Sequence, residues 1–389
     1  MEAKATPPLA DVRLPDGVVD HPPARAGALA RRLRTIDDVL DRAGYARVFT
    51  PTFELLDVLE PGLGEIAKRA VFRVVDPASG EVVVLRPDFT AQVARMVSAR
   101  LAERCRPLRL SYSGRVARAR DPRGRDLFAR DLFQTGVELI GADASWADVE
   151  ILTLALEVFE QLECEVTIAI GHAAFVDTLL DPSHDVRRVR DALAEKDGAA
   201  VERLAPEVRP LLDLYGDRSI LTEARRVLNA PDVLAALDRL DALADAVERV
   251  APNARLTFDL GEQRSLGYYT GPFFHGYVQG APDAVLAGGR YDRLLGRFGA
   301  EEPATGFAID VGALPDGAED EAPRGVVVAD DDPSDPTVVK LLETLRDTEG
   351  RAVVVATDGA YRYAEDHGFR AVVTRDGHQR SLASDTEVS

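Results

Sequence analysis

The sequence has few cysteines, no long apolar segment and no surplus of basic residues. Its two cysteines, Cys105 and Cys164, have neither the spacing of a metal site nor that of a redox pair. No stretch is long and apolar enough to cross a bilayer, and Met1 to Val12 is not an apolar leader. We therefore expect a cytoplasmic protein with free thiols, no membrane segment, no bound metal and no cofactor.

The net charge of the chain is strongly negative. The 389 residues include 47 basic and 66 acidic side chains, which gives a formal charge of −19. An acidic surface repels a phosphate backbone and lacks the basic face of a dedicated nucleic-acid binder, so the charge disfavours a tRNA partner. The hydrophobic fraction of 46% is that of a globular protein, and the length exceeds one typical domain.

Apolar periodicity predicts an α+β organisation. A helical pattern stops at Gly44, a hairpin is predicted over 71–85, and two strands are predicted at 108–113 and 132–140. We expect a further helix near Tyr291. The predicted organisation is an N-terminal arm (1–23), a core (24–315) and, after an acidic linker, a small α/β unit (324–389) with a frayed polar tail.

The stretch from about 181 to 252 differs from the rest of the core. It is rich in Ala and Leu and lacks strand patterns, so it predicts a helical insertion. Its last helix is predicted between Pro231 and Pro252. The apolar face of that helix is expected to consist of Val233, Leu237, Leu240, Leu243, Val247 and Val250.

Four segments in order resemble the signature regions of histidyl-tRNA synthetase, a class II aminoacyl-tRNA synthetase. They are Gly44–Pro51, Leu85–Thr90, Tyr112–Arg118 with Phe133–Glu138, and Arg264–Tyr269 with Ala287–Asp292. Each is short, but the four together span roughly residues 24–314. The resemblance implies an antiparallel sheet of six or seven strands flanked by helices. It also implies a homodimer with Gly44–Pro51 at the two-fold interface.

The same resemblance implies a pocket for L-histidine. Free histidine needs acceptors for its ammonium, a cation for its carboxylate, and partners for its imidazole. By resemblance, Asp88 and Gln134 receive the ammonium, Thr90 supports the loop, and Arg264 faces the carboxylate. Glu138 and Tyr269 read the imidazole. The remaining residues expected at this histidine-binding site are Arg118, Tyr268 and Tyr291.

The residues that a synthetase uses for ATP are altered. Arg118 matches the arginine that would hold the α-phosphate, but Ala117 and Arg120 replace the aromatic and acidic neighbours usual in the family. In the third motif, Gly306–Leu314, the usual glutamate and arginine are Gly312 and Ala313. Because alanine offers no donor to a triphosphate, we expect no catalytic residues and no amino-acid activation.

A retained amino-acid pocket beside an altered ATP site resembles the histidyl-tRNA synthetase paralogues that regulate ATP phosphoribosyltransferase. Residues 86–95 and 134–141 are more similar to those paralogues than to the synthetase. The resemblance implies a hetero-oligomer with a short-form ATP phosphoribosyltransferase catalytic subunit and feedback regulation by histidine. The C-terminal unit resembles only the first half of an anticodon-binding domain.

Two other functions remain open at this stage. A histidyl-tRNA synthetase is the first, and histidine-dependent pyrophosphate exchange would reveal it. A stand-alone histidine sensor or tRNA-binding module is the second, and co-purification of a small transferase would argue against it.

Overall fold

The structure is a computed structural model that describes residues 13–63, 68, 71–119, 130–143, 145–181, 183–262, 268–315 and 325–382. The chain divides into two compact units, Met1–Pro315 and Asp316–Ser389. Residues 1–12 of the predicted arm and the predicted linker after Pro315 lie outside the described residues.

The first unit is an α+β fold, as predicted. Its strands are β1 (Ala46–Arg47), β2 (Phe53–Leu55), β3 (Arg73–Val75), β4 (Val82–Leu85), β5 (Leu108–Ala117), β6 (Asp131–Ile140), β7 (Val166–His172), β8 (Tyr215–Gly216), β9 (Arg255–Asp259), β10 (Pro272–Val278), β11 (Leu286–Arg290) and β12 (Ala304–Asp310). Its helices are α1 (Pro23–Arg42), α2 (Leu56–Leu59), α3 (Thr90–Arg100), α4 (Ser145–Gln161), α5 (Ala174–Leu179), α6 (Val186–Ala194), α7 (Gly198–Leu204), α8 (Ser219–Val227) and α9 (Pro231–Val250).

Nine of these strands form one sheet in the order β1-β5-β6-β12-β11-β10-β7-β9-β8. In the central part of this order, from β5 to β7, six strands are joined by antiparallel pairs only. The parallel pairs β1–β5 and β7–β9 extend the sheet at both sides, so it is wider and more mixed than predicted. The strand that the sequence predicts over 45–50 forms only as the two residues of β1. Strand β8 also has two residues, which is too few for a sequence pattern to reveal.

The two faces of the sheet are covered by different helices. On one face, α1, α4 and α9 enclose an apolar core that includes Val137 and Leu139 of β6. On the other face, Val93 and Val97 of α3 pack with Leu110 of β5. Because strand side chains alternate, the even-numbered residues of β6 point to the α3 face.

The strands β11 and β12 escaped prediction because they are rich in small residues. A Cβ on Gly288 would lie 2.5 Å from the Phe274 ring and 2.7 Å from the carbonyl oxygen of Gly306. Glycine is therefore needed where the backbones of these strands come close to their neighbours. The prediction of a helix near Tyr291 is wrong, because the chain forms only a 3-10 turn there, at Leu295–Phe298.

Local turn chemistry matches the predictions at two places. Helix α1 ends at Arg42, and Gly44 has φ +80°, a left-handed conformation that glycine adopts without a Cβ clash. The predicted hairpin forms between β3 and β4, where the Asp76 carboxylate accepts hydrogen bonds from Ala78 and Ser79. Strands β2, β4 and β3 form a separate small sheet.

The helical insertion contains α6 to α9, a 3-10 segment at Pro206–Leu212 and the short strand β8. Five of the six predicted face residues of α9 are buried: Val233, Leu237, Leu240, Leu243 and Val247. Val250 is 67% exposed, which corrects the prediction for this residue. It is the last residue of the helix, and the apolar face ends one turn earlier.

The second unit is a small α/β sheet. Its elements are β13 (Val326–Ala329), α10 (Pro336–Glu349), β14 (Ala352–Val355), α11 (Ala360–Asp366), β15 (Ala371–Thr374) and β16 (Gln379–Ser381), with the sheet order β14-β13-β15-β16. Strand β13 is parallel to both of its neighbours, in agreement with the predicted βαβαβ unit. Part of the tail predicted to be frayed instead forms β16, antiparallel to β15.

Candidate functional site

The centre of the candidate site is Glu138 on the α3 face of β6. Gln134 lies on the same face four residues earlier, as the strand period requires. Both side chains are buried, with 1% of Glu138 and 4% of Gln134 exposed. The start of α3 brings Asp88 and Thr90, also buried, to this face of the sheet.

Hydroxyl groups surround the carboxylate of Glu138. Tyr112 of β5 donates to its Oε1 at 3.3 Å, and Tyr291, after β11, donates to its Oε2. The Thr90 side chain also interacts with this carboxylate and lowers its pKa. Tyr112 lay within the matched second motif, but sequence analysis gave it no role because its partner comes from another strand.

Two glycines leave the space that Glu138 occupies. A Cβ on Gly306 of β12 would lie 2.1 Å from Oε2 of Glu138. A Cβ on Gly136, between Gln134 and Glu138, would lie 2.6 Å from the Tyr112 hydroxyl oxygen. Each Cβ would also meet a backbone carbonyl oxygen, that of Val137 at 2.3 Å for Gly306 and that of Phe307 at 2.2 Å for Gly136. Side chains at either position would therefore displace the neighbouring strand as well as the carboxylate or its donor.

The pKa of Glu138 is determined mainly by burial, because no cation among the described residues offsets the loss of solvent around its carboxylate. Desolvation raises its pKa well above the ordinary value, and the hydrogen bonds from Thr90 and Tyr112 only partly oppose this effect. The pKa of Asp88 is also raised by burial, although the nearby Arg118 lowers it. Two buried carboxyl groups that favour the neutral state in isolation would be stabilised as anions by a cationic ligand.

A second group of polar residues adjoins Asp88. The guanidinium of Arg118 donates through Nε to the carbonyl oxygen of Pro87 at 3.1 Å and lies 3.6 Å from Oδ2 of Asp310. Gln134 donates through Nε2 to Oδ1 of Asp310 at 3.4 Å. Asp310, the last residue of β12, was not among the predicted site residues, although the third motif contains it.

Three tyrosines form the aromatic side of the site. The Tyr268 ring meets Tyr269 and Tyr291 edge-on, with centroid distances of 5.0 and 5.6 Å, and Tyr269 stacks on Phe273. Burial raises the pKa of both Tyr268 and Tyr269, so their hydroxyl groups stay protonated and can donate. The structure thus brings together the predicted Asp88, Thr90, Arg118, Gln134, Glu138, Tyr268, Tyr269 and Tyr291.

Four residues singled out by the sequence analysis are not part of this group: Arg264, Arg120, Gly312 and Ala313. Arg264, expected to face the ligand carboxylate, and Arg120 lie outside the described residues. Gly312 and Ala313 form a short 3-10 turn directly after β12. Among the described residues, no heavy atom lies within 4 Å of the position of a Cβ on Gly312.

An open groove of about 1090 Å³ lies apart from this site. It is bordered by the end of α1, one side of α4 and the segment 250–255. At its edge, Glu150 accepts hydrogen bonds from Arg109 and Tyr45. The Arg109 guanidinium also faces the ring of Trp146, which is 45% exposed. None of the predicted site residues lines this groove.

The described part of the chain contains neither a candidate membrane span nor a candidate metal site. Over the described ranges, no helix combines the length and hydropathy that a membrane span needs. Within the same part of the chain, no three His, Cys, Asp or Glu side chains are grouped so that they could hold a metal ion.

Comparison with known proteins identifies similar chains over most of this length. The family model described as histidyl-tRNA synthetase matches residues 17–314. The ATP phosphoribosyltransferase regulatory subunit of Anaeromyxobacter dehalogenans is 40% identical over 319 residues, which cover 78% of this chain and 90% of that protein. The protein of the same name from Moorella thermoacetica is 35% identical over 379 residues, covering 92% and 95% respectively.

Two solved structures share the fold. The first is described as an ATP phosphoribosyltransferase regulatory subunit/histidyl-tRNA synthetase from Bacillus halodurans; it aligns with a TM-score of 0.79 at 27% identity and covers 93% of this chain and 97% of its own. The second is the histidyl-tRNA synthetase of Nostoc, with a TM-score of 0.75 at 19% identity and coverage of 96% and 97%. The second similarity concerns the fold alone.

Proposed function

This chain belongs to the histidyl-tRNA synthetase family, among the members named ATP phosphoribosyltransferase regulatory subunits, and from that membership we propose that it assembles with a separate catalytic subunit, supports its activity and transmits inhibition by L-histidine to it. Its role lies in histidine biosynthesis. The proposed partner is the short-form catalytic subunit. The proposed effector site is the group of residues around Glu138, namely Asp88, Thr90, Arg118, Gln134, Tyr268, Tyr269 and Tyr291.

The charge balance of the cluster is the observation that supports histidine as the ligand. Asp88, Glu138 and Asp310 are three carboxyl groups, whereas Arg118 is the one cation found in contact with them among the described residues. Histidine carries an ammonium and an imidazole whose N–H groups donate. Both kinds of donor match a buried group of acceptors better than an anionic ligand would.

The ATP side of the site supports a non-catalytic role. Amino-acid activation needs cations placed where charge develops on the α-phosphate. Ala313 and Gly312 offer no charge, and Arg118 is already paired with Asp310. We therefore propose that the chain binds histidine without forming histidyl-adenylate.

Feedback through this site requires that histidine bind the inhibited assembly more tightly than the active one, because equal affinity shifts no equilibrium. The test uses the complete chain co-expressed with the short catalytic subunit. We expect the two to co-purify, the catalytic rate to depend on this chain, and histidine to inhibit the assembly.

Glu138→Gln is the informative variant, since it keeps the shape of the side chain and removes its charge. Loss of a charge-assisted hydrogen bond weakens binding by about 10-fold or more. The variant should still assemble and support activity while it needs correspondingly more histidine for inhibition. Glu202→Gln, on the exposed surface of α7, is the matched control. Unchanged inhibition in both Glu138→Gln and Arg264→Ala would place the effector site on the partner.

Histidine-dependent pyrophosphate exchange tests the remaining alternative. We expect no exchange from the purified chain. Robust exchange would contradict the regulatory proposal and identify a synthetase.

A further inference from the structure

Asp310 contacts the two side chains that decide which charge this site accepts. Its Oδ2 lies 3.6 Å from Nη1 of Arg118, and its Oδ1 accepts from Nε2 of Gln134 at 3.4 Å. Arg118 and Asp310 are similarly shielded, with 22% and 21% of their side chains exposed. The same carboxylate therefore interacts with a cation and with a neutral amide.

The amide of Gln134 is oriented by this contact. Burial raises the pKa of Asp310, whereas the Arg118 charge and the Gln134 amide lower it. The carboxylate that is ionised beside Arg118 accepts hydrogen bonds and cannot donate them, so the NH₂ group of Gln134 faces Asp310. The amide oxygen, Oε1, is then directed away from Asp310. It is buried and has no hydrogen-bond partner among the described residues. A buried acceptor without a donor is costly, and a ligand N–H would satisfy it.

The guanidinium of Arg118 is engaged by the same residue. Its Nε donates to a backbone carbonyl and its Nη1 pairs with Asp310, which leaves little positive charge for an incoming anion. The neighbouring Arg86 donates to the carbonyl oxygens of Thr50 and Arg115 and lies over the Phe89 ring, so it does not supply a substitute. A phosphate group would also meet the carboxylates of Asp88 and Asp310.

We propose that Asp310 is the positioning residue that sets the ligand preference of this site. By holding the amide of Gln134, it presents Oε1 to the ammonium group of the ligand. By pairing with Arg118, it withholds that guanidinium from phosphate. The first part rests on the proposed histidine ligand, whereas the second does not depend on it.

The experiment compares three probes on the purified full-length chain by titration calorimetry: L-histidine, imidazolepropionate and inorganic pyrophosphate. Imidazolepropionate is histidine without its amino group. In Asp310→Asn, the new amide can present either an oxygen or an NH₂ group, so Gln134 loses its fixed orientation. We expect L-histidine to bind about 10-fold more weakly and imidazolepropionate to change by less than about 2-fold.

Pyrophosphate tests the second part. The wild-type chain should not bind it measurably, whereas Asp310→Asn should bind it through the released Arg118. The double variant Asp310→Asn/Arg118→Ala should lose that binding again. Asp310→Ser must give the same results if Asp310→Asn lowers the melting temperature.

The outcomes separate this inference from the proposed function. An equal loss of affinity for histidine and imidazolepropionate would refute the ammonium part, since a general structural defect affects both ligands. If neither Asp310→Asn nor Asp310→Ser bound pyrophosphate, the proposal that Asp310 withholds Arg118 from phosphate would be refuted. If the wild-type chain bound no histidine, the proposed ligand would be wrong, and the pyrophosphate series would still decide the role of Asp310.

Discussion

Arg290 and Asp148, 142 residues apart in the chain, form a buried ion pair with Nε of Arg290 2.8 Å from Oδ1 of Asp148. Only 1% of the Arg290 side chain is exposed. Its Nη1 also donates to Asp292 at 3.1 Å, and Asp292 accepts a hydrogen bond from Thr270. These contacts fix the backbone on either side of Tyr291, whose hydroxyl reaches Glu138. The ion pair therefore positions a donor of the candidate site.

The first prediction is that Arg290→Met destabilises the fold. Without Arg290, Asp148 keeps its ion pair with Arg239, at 2.7 Å. Because removing one partner of a buried ion pair typically costs about 3–5 kcal/mol and Asp148 stays partly compensated, we expect a loss of about 3 kcal/mol. Chemical denaturation should show this loss in the free energy of unfolding. The matched control is Arg187→Met, whose i,i+4 partner Asp191 is exposed and lies at 3.8 Å. An exposed pair of this kind contributes about 0.5 kcal/mol, and equal losses in the two variants would contradict the assignment.

The second prediction concerns the space around Glu138. Gly306→Ala places a methyl group 2.1 Å from Oε2 of Glu138 and 2.3 Å from the backbone carbonyl oxygen of Val137. Because both the carboxylate and the strand must shift, we expect the change to abolish histidine binding and to cost about 3 kcal/mol of stability. Gly312→Ala is the control, because open space surrounds that position. Calorimetry and thermal melting give both quantities. Wild-type histidine affinity in Gly306→Ala would rule out Glu138 as a ligand-binding group.

The third prediction is an acid-sensitive contribution from His172. Its Nδ1 accepts the N–H of Ala174 at 3.1 Å, and burial, with the nearby Arg239, lowers its pKa from 6.5 to about 4. The unfolded state then binds the proton first, so stability is present above pH 6.5 and is lost as the pH falls towards 4. The contribution is about 3 kcal/mol. His172→Asn keeps an acceptor for Ala174, and its unfolding free energy should depend less on pH over this interval.

The fourth prediction concerns Glu138, whose contribution to stability decreases as the pH rises, opposite to that of His172. Burial raises the pKa of Glu138 above its ordinary value of 4.5, so the folded state retains a proton that the unfolded state releases. This stability is present below pH 4.5 and is lost as the pH rises through the folded-state pKa. Glu138→Gln should therefore become more stable relative to the wild type as the pH rises. A constant difference across the pH series would mean that Glu138 does not titrate in this way.

The fifth prediction addresses the proposed dimer. Phe49, in the segment Gly44–Pro51 that resembles a dimerisation motif, is 84% exposed. Phe53, four residues further on, is 57% exposed as well. Single exposed apolar residues are common, but several large ones in one segment are typical of surfaces that bind another protein. We expect the wild type to sediment as a dimer and Phe49→Asp as a monomer. Val186→Asp, which changes an exposed valine of the helical insertion, should remain dimeric. A monomeric wild type would refute the proposal.

The sequence predicted the faces of the central strands better than the contacts made across them. Period-two alternation was enough to place Gln134 and Glu138 on one face, because alternation is a property of the strand itself. It could not identify Tyr291 as a donor to Glu138, since 153 residues separate the two. Such partners are fixed by strand order. Strands β11 and β12, which contribute to that order, are short and rich in small residues, so their apolar pattern is weak.

The role of Asp310 was missed for a related reason. The third motif was interpreted from Gly312 and Ala313, where the charges usual in the family are absent, and no role was predicted for Asp310, whose carboxylate lies three residues before Ala313. Its partners, Gln134 and Arg118, come from β6 and from the loop after β5. Only the pairing of β6 with β12, in which Gln134 lies opposite Asp310, brings them together.

The indole of Trp146 has a practical consequence, because it is the one tryptophan in the sequence. It stands at the start of α4, half in solvent and facing Arg109, so its ultraviolet emission reports on one defined patch of the surface. Any macromolecule that covers this patch removes water from the indole and shifts the emission towards shorter wavelengths. The native chain can thus be titrated optically with a second copy or a partner subunit without attaching a dye.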